Sequence, residues 1–193
     1  MIGYLRKFLK RAYIRINRLF FSCFYPSRYL RGKYFDQHLV GWSWARRALV
    51  CQKLLNNNRQ VPWPVGRDVH ITGDKINFDP ADINNFHSFG IYYQAVDASI
   101  TIGSGSYIAP NVGLITSNHS LSDPDLHMPG EDIVIGEKCW IGMNAVIMPG
   151  VVLGDHTVVG AGAVVTKSFP EGWCVLAGTP AKIIKAIQGN ENI

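Results

Sequence analysis

The chain has 193 residues, of which 47% are hydrophobic and 17% are charged, and its mean hydropathy is +0.05. This composition excludes a disordered chain, and the length excludes two full-size domains. The net charge of +5 hides an asymmetry, because residues 1–60 hold 13 Lys and Arg against one acid, whereas residues 61–193 hold 6 against 13 acids. These are two physically different regions.

Cysteine spacing and apolar runs bear on the compartment. The four cysteines are far apart and form no CxxC pair, which favours a reducing compartment over a disulfide framework or a zinc finger. Charges interrupt every apolar run before the ~18 residues that a spanning helix needs. The basic start is followed by no small-residue cleavage site. We therefore expect a cytoplasmic protein, with a peripheral position on the inner face of the cytoplasmic membrane where the basic region contacts lipid.

The basic region, residues 1–60, is predicted to be a helical arm. Apolar residues recur at steps of three and four over residues 4–24, which predicts an amphipathic helix with basic residues largely off the apolar face. Cationic helices of this kind bind the interface of anionic membranes, so we expect peripheral membrane contact through this segment. Packing on its own domain or on a neighbouring subunit is the alternative. No nucleic-acid recognition motif accompanies the charges, and no nucleic acid partner is expected.

The chain from residue 36 onward changes from helical to repetitive. A second helix is predicted over about 36–56, and a Pro-rich extended linker follows. Aliphatic residues then recur every six positions from Val96 to Leu114, and again from Ile135 to Val165. This period predicts a mainly β fold, a three-sided parallel β-helix in which each hexapeptide forms one face and one corner. We place the β-helix at residues 61–180.

A loop is predicted to leave the β-helix at residues 117–132. Leu114 and Ile135 are 21 residues apart, which is not a multiple of six, so the intervening segment must lie outside the regular coils. The segment is polar and rich in turn-forming residues. Because solenoid coils need no such excursion, the loop is a candidate functional element.

Four motifs together resemble the hexapeptide-repeat acyltransferases, in the branch of galactoside, maltose and polysaccharide O-acetyltransferases. They are the loop start TSNH at 116–119, IGEKCWIG at 135–142, GAGAVVTK at 160–167 and AGTPAKIIK at 177–185. The resemblance covers roughly residues 90–186 and is specific for the superfamily rather than for the acceptor. It implies a left-handed β-helix, a short helical tail over residues 181–193, and an acyltransferase activity.

The resemblance also implies roles for individual residues. His119 takes the place of the general base that removes the proton of an acceptor hydroxyl during direct transfer from a thioester. Glu131 resembles an acid that orients the base or contacts the acceptor. Asp97 is a candidate acceptor contact, and Trp140 a candidate outward wall for donor or acceptor.

The donor that the resemblance implies is acetyl-CoA, bound in a groove between the subunits of a homotrimer. No metal is expected. Two lysines of the C-terminal tail correspond to cations near the 3′-phosphate of the donor. The donor contacts carried over in this way are Gly142, Ala161, Thr166, Lys167, Lys182 and Lys185.

The acceptor is predicted less directly than the donor. The sugar acetyltransferases of this branch begin with a short acidic and aromatic cap, whereas this chain begins with a basic arm, which favours a glycan carried on a membrane lipid. We therefore expect an O-acetyltransferase of a bacterial surface polysaccharide or its lipid-linked precursor. The alternatives are N-acetylation of an amino-sugar nucleotide or a xenobiotic, and a non-catalytic scaffold tethered to a membrane. The six histidines lack the spacing of the metal-dependent carbonic anhydrases on this fold.

Overall fold

The computed structural model describes residues 2–188, and its N-terminal third is helical as predicted. Helix α1 spans Ile2–Phe21, and α2 spans Val40–Ala48. The second predicted helix is broken, because Leu39 adopts a left-handed conformation with φ 63° immediately before α2. Short π-helices flank α2 at Lys33–Gln37 and Leu49–Leu54, and short 3₁₀-helices lie at Ser27–Tyr29 and Pro80–Phe86.

The rest of the described chain forms fourteen short strands. In chain order, β1 to β14 are His70–Gly73, Ile76–Phe78, Tyr92–Ala95, Ile100–Ile102, Tyr107–Ile108, Gly113–Ile115, Ile133–Ile135, Trp140–Ile141, Val146–Ile147, Val152–Leu153, Val158–Val159, Val164–Val165, Cys174–Gly178 and Ala181–Ala186.

The strands stack into three sheets, which are the three faces of the β-helix. The first sheet has the order β1-β3-β6-β9-β12, the second β10-β7-β4-β2 and the third β14-β13-β11-β8-β5. Every pair is parallel except β13 with β14, so a chain that visits the three sheets in turn winds into coils. The predicted left-handed parallel β-helix is confirmed.

The six-residue grid corresponds to the inward-facing column of each sheet. On the first sheet, Leu114 is in register with Ile147, and Ile147 with Val165. Outside the 117–132 loop, residues four positions after the grid aliphatics are also buried, from Ser106 to Val112 and from Cys139 to Ala163. Two side chains per hexapeptide therefore fill the interior, and neighbouring coils hold each other by backbone hydrogen bonds at ~4.8 Å spacing.

The corners need both small residues and left-handed backbone. A Cβ on Gly103 would lie 2.3 Å from the Gly136 carbonyl carbon of the next coil, so the residue after the aliphatic must be small at this corner. The third residue after most grid aliphatics turns the chain with a positive φ, as at Asn111 and Asn144. Asparagine and glycine tolerate this conformation better than other residues.

Val96 is an exception to the predicted grid. It is 37% exposed, and Tyr93 instead pairs with Leu114 on the inward column of the first sheet. The reason is an enlarged corner before β4, where Asp97 turns the chain with φ 60°. The six-residue spacing from Val96 to Ile102 was therefore a coincidence of sequence.

The predicted helical tail at residues 181–193 is wrong for the part that the structure describes. Ala181–Ala186 forms β14, which folds back antiparallel on β13 after the turn at Thr179 and Pro180. The strand covers the open edge of the third sheet, whose unpaired backbone groups provide partners that a helix would not use. Residues 189–193 lie outside the described part of the chain.

The basic region and the β-helix share one core. Buried aromatic residues from Phe21 to Trp63 belong to the same contiguous apolar cluster as the inward columns of the coils. Within residues 2–188, no helix combines the length and the apolarity needed to cross a bilayer.

Candidate active site

The predicted loop, residues 117–132, leaves the β-helix at the corner between the first and second sheets, and hydrogen bonds hold its base. The Thr116 hydroxyl donates to the carbonyl oxygens of Gln94, at 2.8 Å, and Val96, at 3.2 Å. The Glu131 N–H returns to the Thr116 carbonyl at 2.8 Å. The Ser99 N–H donates to the Asp132 carboxylate at 2.6 Å, and this bond lowers the pKa of Asp132. The two ends of the loop are thus tied to each other and to the preceding coil.

Beyond its base the loop is a short antiparallel ribbon. The Met128 N–H donates to the Asn118 carbonyl and the Ser120 N–H to the Leu126 carbonyl, each at 2.8 Å. Between these bonds, His119 and His127 face each other across the ribbon, with ring centroids 4.2 Å apart. His119 therefore sits on a braced element that projects from the β-helix.

The tautomer of His119 follows from the hydrogen bond at its Nδ1 atom. Its Nδ1 lies 2.6 Å from the Pro124 carbonyl oxygen. A carbonyl oxygen can only accept, so Nδ1 carries the proton and the neutral ring has its lone pair on Nε2. The exposed imidazole is thus held as a tautomer that can take a proton at Nε2.

A surface cavity of about 830 Å³ lies beside His119. Glu131 lines it from the returning end of the loop, and Met148 and Pro149 line it from the coil above. The Glu131 carboxylate reaches over Gly150, where an added Cβ would lie within 2.4 Å of Oε2. No hydrogen-bond donor within residues 2–188 engages this exposed carboxylate. The structure thus brings together the predicted base and the predicted acid in one cavity of the size of ligand pockets.

Three further predicted residues lie along the same corner of the β-helix. Asp97 turns the corner one coil below the loop, and a Cβ added on Gly130 of the loop would lie 3.0 Å from the Cβ of its neighbour Ala98. Thr166 and Lys167 follow β12, one coil above Met148, whose N–H donates to the Val165 carbonyl. A molecule bound along this corner would therefore contact three successive coils.

The remaining predicted residues lie elsewhere on the chain. Trp140 is 56% exposed on the outer face of the third sheet, and Lys182 and Lys185 lie on β14 of the same sheet. Gly142 and Ala161 are stacked at the corner between the third and first sheets, where a Cβ on Gly142 would lie 2.7 Å from the Ala161 nitrogen. Within one chain these five residues do not join the His119 cavity.

Sequence reasoning missed His127 as a neighbour of the base, and it missed the cavity wall at Met148 and Pro149. The cavity wall could have been predicted from the sequence, because Met148 and Pro149 follow the grid aliphatic Ile147 into the corner from which the loop departs. His127 had no such signal, since only the folded ribbon shows which loop residues are opposite.

Other chemistries have little support in the described chain. Within residues 2–188, no three His, Cys, Asp or Glu side chains gather as a metal site. Burial raises the pKa of the Cys139 and Cys174 thiols, which works against a thiolate nucleophile. The arrangement suits proton abstraction by His119 from a bound hydroxyl.

Comparison with known proteins identifies the family to which the chain is similar. Residues 132–167 match the family model described as bacterial transferase hexapeptide (six repeats). A putative acetyltransferase of Dictyostelium discoideum is 40% identical over 130 residues, which are 60% of this chain and 67% of that protein.

Two bacterial relatives match over a shorter stretch. Galactoside O-acetyltransferase of Escherichia coli is 41% identical over 99 residues, 49% of this chain and 48% of that protein. A putative lipopolysaccharide biosynthesis O-acetyl transferase, WbbJ of E. coli, is 38% identical over 99 residues, 45% of this chain and 50% of that protein. The chain thus spans about half the length of these curated relatives. A solved galactoside acetyltransferase in complex with coenzyme A aligns with 32% identity and a TM-score of 0.48, over 66% of this chain and 58% of that chain.

Proposed function

Because the chain belongs to the hexapeptide-repeat family of bacterial transferases, we propose that it is an O-acetyltransferase that uses acetyl-CoA. Its acceptor is a sugar hydroxyl of a bacterial surface polysaccharide or of the lipid-linked precursor. The single observation that carries the proposal is the His119 imidazole, held with a free Nε2 lone pair over a cavity that also contains Glu131. The names of the bacterial relatives support a sugar acceptor.

The proposed transfer is direct and needs no covalent enzyme intermediate. His119 Nε2 takes the proton of the acceptor hydroxyl while the hydroxyl oxygen attacks the thioester carbonyl carbon. The tetrahedral oxyanion collapses, the carbon–sulfur bond breaks, and the coenzyme A sulfur leaves and recovers the proton from the imidazolium. The Nδ1 bond to the Pro124 carbonyl stabilises the imidazolium and fixes the ring orientation during both proton transfers.

Glu131 is proposed to bind the acceptor rather than to orient the base. The Nδ1 atom of His119 already has Pro124 as its partner, whereas the Glu131 carboxylate is exposed in the cavity. A carboxylate there accepts hydrogen bonds from a second sugar hydroxyl and so positions the reacting one. Asp97, at the same corner, is a second candidate acceptor contact.

The donor is proposed to lie between subunits of a homotrimer. Ala161 and Trp140 are exposed away from the His119 cavity, and the buried Gly142 is stacked on Ala161. The tail lysines Lys182 and Lys185 lie on the same sheet as Trp140. A neighbouring copy would bring this surface to the corner that carries His119, Thr166 and Lys167. The proposed compartment is the reducing cytoplasm, which suits the four free cysteines.

The test is transfer of labelled acetyl groups from acetyl-CoA to soluble sugars, amino-sugar nucleotides and extracted membrane glycolipids, assayed in parallel. We expect His119→Ala to lower the rate by roughly 10²–10⁴-fold, the usual contribution of a general base. The matched control is His70→Ala, because His70 is an exposed histidine that stacks on Tyr92, away from the cavity.

Three results would contradict parts of this proposal. Equal rates for His119→Ala and wild type would remove the assigned base. Label entering only amino-sugar nucleotides would replace O-transfer by N-transfer. Absence of coenzyme A binding to the folded protein would remove the activity altogether and favour a scaffold.

A further inference from the structure

Helix α1 packs on the rest of the chain through its polar side. Arg18 pairs with Asp36 and also donates to the Leu30 carbonyl at 3.2 Å. The Lys10 ammonium donates to the Gln37 carbonyl at 3.0 Å. Near the end of the helix, Phe21 is buried and stacks on Trp42 with ring centroids 6.1 Å apart. These contacts fix which side of α1 faces the protein.

The apolar side of α1 faces outward. Its large side chains are between 54% and 74% exposed, which is unusual for a helix that has a packed body beside it. At about 100° per residue these side chains occupy an arc of roughly 120° opposite the side that carries Phe21. They are Leu5, Phe8, Leu9, Ile16, Leu19 and Phe20. Within the described chain, nothing covers this apolar face of α1.

Cations border the apolar face. On the helical wheel, Arg11 and Arg15 lie along one border of the face and Arg6 along the other, and residues 1–35 contain no Asp or Glu. A groove of about 600 Å³ runs beside the face, lined by Arg11, Arg15 and Leu19 among others. Exposed guanidinium groups next to exposed leucines suit a surface that offers phosphates above hydrocarbon.

We propose that α1 docks this protein on the surface of an anionic lipid bilayer. The apolar face enters the boundary between headgroups and acyl chains, while Arg6, Arg11 and Arg15 contact lipid phosphates. A second copy of the chain fits this face less well, because pairing two such helices brings together cationic segments that contain no acid to offset them. The docking does not depend on the proposed transfer activity.

The test is co-sedimentation of the full chain with vesicles of phosphatidylglycerol and phosphatidylethanolamine, compared with vesicles of phosphatidylcholine alone. We expect binding to the anionic vesicles that weakens as salt is raised. Leu9→Glu combined with Ile16→Glu should lower the partition coefficient at least tenfold. The matched control is Leu54→Glu with Leu55→Glu, because these leucines are 77% and 70% exposed at the end of the π-helix after α2.

A second pair of variants separates charge from apolar contact. Arg11→Gln and Arg15→Gln should each lower binding to anionic vesicles about fivefold, since a basic residue near such a surface contributes ~1 kcal/mol. Arg59→Gln and Arg67→Gln are the controls, because both side chains are exposed outside α1.

Several outcomes would overturn the docking proposal. Folded wild type that stays in solution with anionic vesicles would do so, and so would equal loss of binding in the Leu54 and Leu55 control. A fall in molecular mass of the Leu9→Glu, Ile16→Glu variant without vesicles would show that the face joins copies of the chain. Transfer to soluble acceptors is measured on the same samples and should not change, so failure of docking and failure of the proposed function are distinguishable.

Discussion

His87 shows how a single side chain couples this fold to pH. Its imidazole stacks on the Trp44 indole, with ring centroids 4.3 Å apart and planes 15° apart. Its Nε2 is buried without a hydrogen-bond partner in the described part of the chain. Burial disfavours the charged ring and lowers the pKa of His87 to about 3, against the opposite effect of the Pro64 backbone.

Protonation of His87 should therefore lower the free energy of unfolding as the pH falls. A histidine in the unfolded chain has a pKa near ~6.5. Below that pH, His87 is protonated in the unfolded state but stays neutral in the folded state. The stabilising contribution is complete above pH ~6.5 and is lost progressively towards the folded pKa, by about 2 kcal/mol between pH 6.5 and pH 4.5. Urea unfolding of wild type and His87→Phe at both pH values measures the difference.

The phenylalanine preserves the ring that packs on Trp44 and removes the titration. A matched control is His70→Phe, because the His70 ring also stacks on an aromatic ring but is exposed to solvent. If the His87→Phe variant lost as much stability in acid as wild type does, protonation of His87 would not be the cause.

Two asparagines cover the open N-terminal edges of the first and third sheets. Asn58 donates to the Val69 carbonyl at 2.7 Å and accepts from the Ile71 N–H at 2.9 Å, along the edge strand of the first sheet. Asn85 donates to the Ser106 carbonyl at 2.9 Å and accepts from the Ile108 N–H at 3.0 Å, at the edge of the third sheet. Each amide thus supplies the donor and acceptor that a further coil would have supplied, which protects an otherwise unpaired edge.

Replacing Asn85 should destabilise the β-helix from its edge. Asn85→Leu leaves the Ile108 N–H and the Ser106 carbonyl buried without partners, at a cost of about 2–4 kcal/mol in the free energy of unfolding. Chemical denaturation measures this cost, and Asn77→Leu is the control, because Asn77 makes only an exposed contact of 3.5 Å with Thr101. A loss below ~0.5 kcal/mol for Asn85→Leu would show that water replaces the amide.

At the level of elements, the sequence predicted what depends on periodicity and missed what depends on pairing. The six-residue grid identified the inward columns from Ile102 to Val165, because each coil repeats the same steric problem. The same grid misassigned Val96, since an enlarged corner can shift the register without leaving a pattern. The helix predicted for the C-terminal tail was wrong at Ala181–Ala186, because this segment forms a strand only through its pairing with β13.

At the level of the whole molecule, the candidate site is divided between two sides of the chain. The sequence identified His119 and Glu131, because a phase break in the six-residue repeat marks where their loop leaves the β-helix. The structure places both residues in one cavity. The sequence could not show that Ala161 and Lys182 lie away from that cavity, since corner assignment depends on the winding of the coils. We therefore predict that a donor that touches both sets binds between two copies of the chain.

If the base and the donor corner act from different subunits, two variants that are inactive alone should complement each other. His119→Ala should inactivate the base, and Ala161→Trp should block the proposed donor corner, where Ala161 is exposed. In a trimer assembled at random from both variants, about one quarter of the interfaces join an intact base to an intact corner, so activity should recover to about that fraction of wild type.

Co-expression with two different affinity tags isolates the mixed assemblies, and the variants mixed after separate assembly serve as the control. Recovery in the co-expressed sample alone would mean that one subunit provides His119 while its neighbour provides the donor surface. Verified mixed assemblies without activity would mean that base and corner must belong to the same subunit. In that case Ala161 would not contact the donor from a neighbouring copy, and the proposed donor site between subunits would be wrong.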